Sequence, residues 1–72
     1  MYTIKKYDGK TQELLVNREL QTSPQVFMDE TEREFPLVTY EYPDNNTIRL
    51  KVWKYLALAM FRPSYVFELI RN

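Results

Sequence analysis

Cysteine and histidine are both missing from this chain, and glycine occurs once. Without a thiol or an imidazole there is no disulfide framework, no zinc set of sulfur and nitrogen ligands, no thiolate nucleophile and no group poised to exchange protons near neutral pH. A lone glycine excludes the glycine-rich loops that cradle phosphates. The two serines, Ser23 and Ser64, have only lysine or carboxylate side chains as candidate activators. Long apolar runs are also absent. The run from Tyr55 to Phe61 is far too short to span a bilayer and is broken by Arg62-Pro63, and Met1 to Asp8 lacks the apolar core of a signal peptide. The expectation is a cytoplasmic, non-enzymatic protein with no metal, no cofactor and no membrane partner.

Charge of one sign is lacking too. Ten basic and ten acidic residues cancel, so no global field draws the chain to nucleic acid or an anionic surface, and local patches must carry any such reading. The acidic run Asp29-Glu30-Thr31-Glu32-Arg33-Glu34 has neither the ligand spacing nor the glycine of a calcium loop and reads as a solvated face.

What is present is aromatic: six Tyr, four Phe and one Trp in 72 residues, which form one small domain, 1-72. A domain of this size without disulfides or metal depends on good packing or on association with another surface. Aromatic side chains serve both ends.

Strand and turn signals open the chain. Tyr2 to Tyr7 and Thr11 to Val16 flank Asp8-Gly9, which predicts a hairpin with Gly9 in a left-handed conformation and Tyr2, Ile4, Leu14 and Val16 on one face. Ser23-Pro24 is a helix start: a capping hydroxyl, then a residue that lacks only an N–H the helix end would leave unpaired. The helix is predicted from Pro24 to about Glu34, with Phe27, Met28, Thr31 and Phe35 as its apolar stripe. Phe35 precedes Pro36 and is therefore extended, which ends the helix.

The second hairpin, Leu37 to Tyr42 and Thr47 to Val52, surrounds Pro43-Asp44-Asn45-Asn46. With Pro43 opposite Thr47 and Asn46 left-handed, Tyr42 faces Ile48, Tyr40 faces Leu50 and Val38 faces Val52. The other face then pairs Glu41 with Arg49, Thr39 with Lys51 and Leu37 with Trp53. One face is apolar and the other charge-matched. Beyond Val52 the alternation fails. Residues 54-61 read as a short helix, with Trp53, Leu56, Ala57 and Met60 at helical spacing, or as a strand buried on both faces. Tyr65 to Ile70 reads as a closing strand. The fold class is α+β, an antiparallel sheet from two hairpins with one or two short helices; an all-β small barrel is the alternative.

Two surfaces are candidates for function. Trp53, Tyr55, Phe61, Arg62, Tyr65 and Phe67 exceed what a core already containing Tyr40, Tyr42, Ile48, Leu50, Val52, Ile4, Leu14 and Val16 needs, and aromatic and arginine side chains are those that most often carry binding energy. Phe61 and Arg62, at the turn before Pro63, are the foremost contact residues. The reading is a protein-binding module, self-associating, that occupies a surface of a partner. Its size, neutrality and lack of catalytic side chains resemble those of small inhibitory proteins of phages and mobile elements. The alternative is a nucleic-acid-binding module in which Arg49, Lys51, Trp53, Lys54 and Arg62 form a basic and aromatic strand face; neutral net charge and Glu41 opposite Arg49 disfavour it.

Overall fold

A computed structural model describes all residues, 1–72. Five strands form one open antiparallel sheet: β1 (Tyr2–Asp8), β2 (Leu14–Glu19), β3 (Leu37–Asp44), β4 (Thr47–Trp53) and β5 (Tyr65–Arg71), in the order β2-β1-β5-β4-β3. A single helix, α1 (Pro24–Glu34), joins β2 to β3. The architecture is therefore α+β. The sheet has free edges at β2 and β3, so the barrel alternative does not hold.

The helix begins and ends where its sequence signals stand. The Ser23 hydroxyl accepts the Val26 N–H at 3.2 Å, Pro24 occupies the first turn, and Phe35 is extended at φ −116°. Its stripe faces the sheet: Phe27, Met28 and Phe35 pack on a core of Ile4, Leu20, Leu50, Val52, Phe67 and Leu69. Thr31, buried in the same stripe, donates its hydroxyl to the Phe27 carbonyl at 2.8 Å, so no polar group is left bare.

The second hairpin keeps the expected pairs Tyr40–Leu50, Val38–Val52, Glu41–Arg49, Thr39–Lys51 and Leu37–Trp53. Its loop differs. Asp44, not Pro43, pairs with Thr47, because a bulge between Glu41 and Asp44 absorbs one residue of β3, and Asn46 is not left-handed. Tyr42, expected in the core, lies on this bulged edge and is exposed.

The first hairpin departs further. Lys6 pairs with Val16 and Tyr7 with Leu14, leaving Leu15 as an extra residue, so Leu14 drops out of the even-numbered set and is exposed rather than buried. The left-handed residue is Gln12, at φ 64°, not Gly9. Glycine is required at position 9 for another reason. The Gly9 N–H donates to the Ser64 carbonyl at 3.0 Å, and a Cβ there would overlap the Pro63 carbonyl oxygen. Gly9→Ala is therefore expected to cost about 1–3 kcal/mol, as overpacking does. Urea unfolding of the variant checks this, and unchanged stability would mean that the two loops can part freely.

The closing strand is not at an edge. β5 enters between β1 and β4, with Leu69 between Ile4 and Ile48, and Phe67 between Lys6 and Leu50. Residues 54-61 form neither a regular helix nor a strand. They contain one 3₁₀ turn, Leu56–Leu58, inside the loop that joins β4 to β5. No helix of the chain is long and apolar enough to cross a membrane.

Candidate interaction surface

On the sheet face away from α1, the side chains follow the register and neutralise one another. Arg49 lies between two acids, its Nη2 3.1 Å from Glu68 Oε2 and its Nη1 3.2 Å from Glu41 Oε1, and Lys51 Nζ is 3.0 Å from Glu41 Oε2. These hydrogen bonds, first to Glu68 and then to Glu41, raise the Arg49 pKa further above its already high ordinary value. Lys51, followed by Arg49, holds the Glu41 carboxyl below its ordinary range. Burial, aided by the Glu68 carboxylate, pushes the neighbouring Tyr7 phenol up.

Asp8 is likewise held low, by the N–H groups of Thr11 and Lys10 at 2.9 and 2.8 Å. Both depressed carboxyls bind protons more readily in the unfolded chain, whose ordinary values are 4.5 for Glu and 3.8 for Asp. Stability is therefore full above that window and falls as pH drops through it. Tyr40 works in the opposite sense. Burial and its 2.6 Å hydrogen bond to Glu32 raise its pKa well above the ordinary 10.0, so its contribution is present below that value and is lost as pH rises through the folded one. Urea midpoints across pH should fall on both flanks. Asp8→Asn with Glu41→Gln should flatten the acid flank and Tyr40→Phe the alkaline one.

The sequence-predicted contact residues divide into two groups. Trp53 and Phe67 are interior, each 8% exposed, and are corrected from contact to core. Phe67 packs edge-on against Phe27, with centroids 5.3 Å apart. Trp53 lies outside the main cluster and anchors the loop, its indole N–H donating to the Phe61 carbonyl at 3.1 Å. Tyr65 is half-buried, edge-on to Phe35, with Lys6 Nζ 4.2 Å and Lys54 Nζ 5.0 Å from its ring centroid. Tyr55, Phe61 and Arg62 are exposed.

Of the residues of the basic strand face, Arg49, Lys51 and Arg62 line one recess, shared with Asp8 and Glu68, while Trp53 and Lys54 lie outside it. Arg49 and Lys51 are tied to acids, Trp53 has no free ring face to stack on, and Lys54 and Arg62 belong to the loop instead.

Beyond Trp53 the loop is exposed throughout, over residues 54–62, and most of its side chains are apolar. Tyr55, Leu56, Met60 and Phe61 are exposed, Met60 at 94% and Phe61 at 69%, and Leu58 is on the border of exposure. The base of the loop is fastened. Ser64 N–H donates to the Val52 carbonyl at 2.8 Å, Lys54 N–H to the Ser64 hydroxyl at 3.1 Å, and Arg62 Nη1 to the Lys10 carbonyl at 3.1 Å. Leu56, Leu58, Met60 and Lys10 were not singled out as contact residues from the sequence. One signal was available for the first three: no acid occurs between Asp44 and Glu68, so the charged neighbours of this apolar run along the chain are all basic. Comparison of the chain with protein-family models, with curated proteins and with solved structures finds no match.

Proposed function

We propose that this chain is a non-enzymatic protein-binding module that acts by occupying a surface of a partner protein, as a small inhibitor does, and that the β4–β5 loop is the part that docks. The observation that carries the reading is the exposure of Tyr55, Leu56, Met60 and Phe61 together on a loop whose ends are hydrogen-bonded to the sheet. Single exposed apolar residues are ordinary surface, whereas a contiguous set on a braced loop is the pattern of an interface. Bracing also lowers the ordering cost of association. With no partner at hand, a second copy is the expected cover at high concentration, which is where self-association enters the proposal. The nucleic-acid alternative has less support, because its strand-face cations already have carboxylate partners.

Phe61→Ala tests the reading cleanly. The Phe61 backbone carbonyl, not its ring, holds Trp53, so truncation of the exposed ring leaves the loop's anchor intact. The variant is expected to keep the wild-type circular dichroism and melting curve while weakening association by more than about 1 kcal/mol, read as loss of partner in pull-downs from nuclease-treated lysate and as slower onset of self-association in sedimentation. Unchanged association would take the loop out of the interface. Unfolding would return Phe61 to the core.

A further inference from the structure

Between the β1–β2 turn and the β4–β5 loop lies an open recess of about 550 Å³. Its wall is largely apolar surface, from Leu58, Phe61, Pro63 and Tyr65, and its cations are Lys10, Lys54 and Arg62. None of these three makes an ion pair, since every ion pair in the molecule belongs to Arg49 or Lys51. The one carboxylate in the lining, Asp8, is engaged by the N–H groups of Lys10 and Thr11. Resting on the protein-binding reading, we infer that this recess takes an acidic peptide segment of the partner, one large apolar side chain seated against Leu58 and Phe61 and flanking carboxylates set against Lys10, Lys54 and Arg62.

Three features of the surroundings select that occupant. A nucleic-acid strand needs a track of free cations along its backbone. Here the track is short. Arg49 and Lys51 are neutralised on one side. On the helix face the next free cation, Lys6 at 4.2 Å from the Tyr65 ring centroid, shares its surroundings with Glu34 of α1, which also carries Asp29, Glu30 and Glu32. An anionic bilayer meets the same obstacle, because Phe35 against Tyr65 brings the acidic end of α1 to the recess end of the sheet. A second copy offers acids on α1, where the exposed apolar residue is Val26, too small to fill a recess of this volume. Its exposed Tyr42 lies beside Glu41, whose carboxylate Arg49 and Lys51 already hold, and its exposed Leu14 and Leu15 follow the single acid Glu13. A short acidic segment with a bulky anchor meets the apolar wall and the unpaired cations together, and opposite charge across the contact speeds encounter and fixes register.

Fluorescence polarisation tests the inference with a fluorescein-labelled peptide of alternating Glu and Asp around one central Phe. The comparison probes are the same peptide with Ala at its centre, the same peptide with Lys for every acid, an oligo-dT strand, and phosphatidylcholine vesicles containing about 30% phosphatidylserine, all below physiological salt, where screening is weak. The acidic Phe peptide is expected to bind at least about tenfold more tightly than the other probes, to weaken as salt rises, and to displace any dimer formed at high concentration. Lys54→Glu and Lys10→Glu should each reduce its affinity by about tenfold with unchanged circular dichroism. Equal affinity of both variants, equal binding of the Lys peptide, preference for oligo-dT or vesicles, or a dimer that resists the peptide would each overturn the inference. Pull-downs separate it from the reading beneath: a partner lost with Phe61→Ala but kept by Lys54→Glu overturns the acidic segment alone, and one kept by both variants removes the docking loop as well.

Discussion

Leu50→Ala is expected to lower the unfolding free energy by about 2–5 kcal/mol, the cost of truncating a fully enclosed leucine. Leu50 has no exposed surface and lies in β4 between Tyr40 of β3 and Phe67 of β5, beneath α1. Neighbours on both flanks cannot all close over the gap, so most of the cavity remains. The adjacent residue on the opposite face supplies the control. Glu41 is far more exposed and pairs with partly exposed cations, where water screens the interaction, so Glu41→Ala should cost only a small part of the Leu50 loss. Urea melts of the two variants and the wild type, analysed with a common slope, make the comparison. Similar losses would mean that the sheet does not present its two faces as described.

Trp53→Ala is expected to cost about 3–5 kcal/mol, the range for removing a buried large aromatic side chain, and to release the β4–β5 loop as well. The indole is 8% exposed and its N–H holds the Phe61 carbonyl, so one residue both fills space and fixes the loop's return to β5. Trp53→Phe separates these roles, keeping most of the apolar volume while leaving the carbonyl without that donor. Its stability loss should be the smaller of the two, yet hydrogen exchange over residues 55–62 should rise in both. If Trp53→Ala left exchange in the loop unchanged, the Ser64 and Arg62 bonds alone would hold it, and the indole would be filling only. The docking surface depends on the same anchor, so partner capture should decline in both variants despite their intact Phe61.

Features governed by contacts between near neighbours in the chain were legible in the sequence. Ser23-Pro24 and Phe35-Pro36 bound α1 because caps and prolines act within one turn. The pairing of Tyr40 with Leu50 and of Glu41 with Arg49 follows from alternation, since a slip of one residue would bury charge and expose leucine. The exposure of Phe61 and Arg62 follows from a proline that interrupts an apolar run. The hairpin loops were harder to read. In the second, one residue of the β3 bulge removes the left-handed position while the outer pairs stay in register. In the first, the longer loop, with Gln12 left-handed and Leu15 extra, moves β2 to Leu14–Glu19 and places Arg18, not Leu14, opposite Ile4.

Tertiary structure alone decided the rest. Tyr65 to Arg71 has the composition of any half-buried strand, and nothing local says whether it ends a sheet or divides one. Its place at the centre comes from pairing β1 and β4 at once, which buries Phe67 and Leu69 among Ile4 and Leu50 and leaves the more exposed β2 and β3 at the edges. Residues 54-61 have helix-forming side chains, but their ends are tied to Val52, Lys10 and the Trp53 indole, and these long-range bonds outweigh a weak local preference. That is also why Trp53 left the surface and Lys10, distant in sequence, joined it: the loop could close over the indole only where Gly9 let its backbone approach.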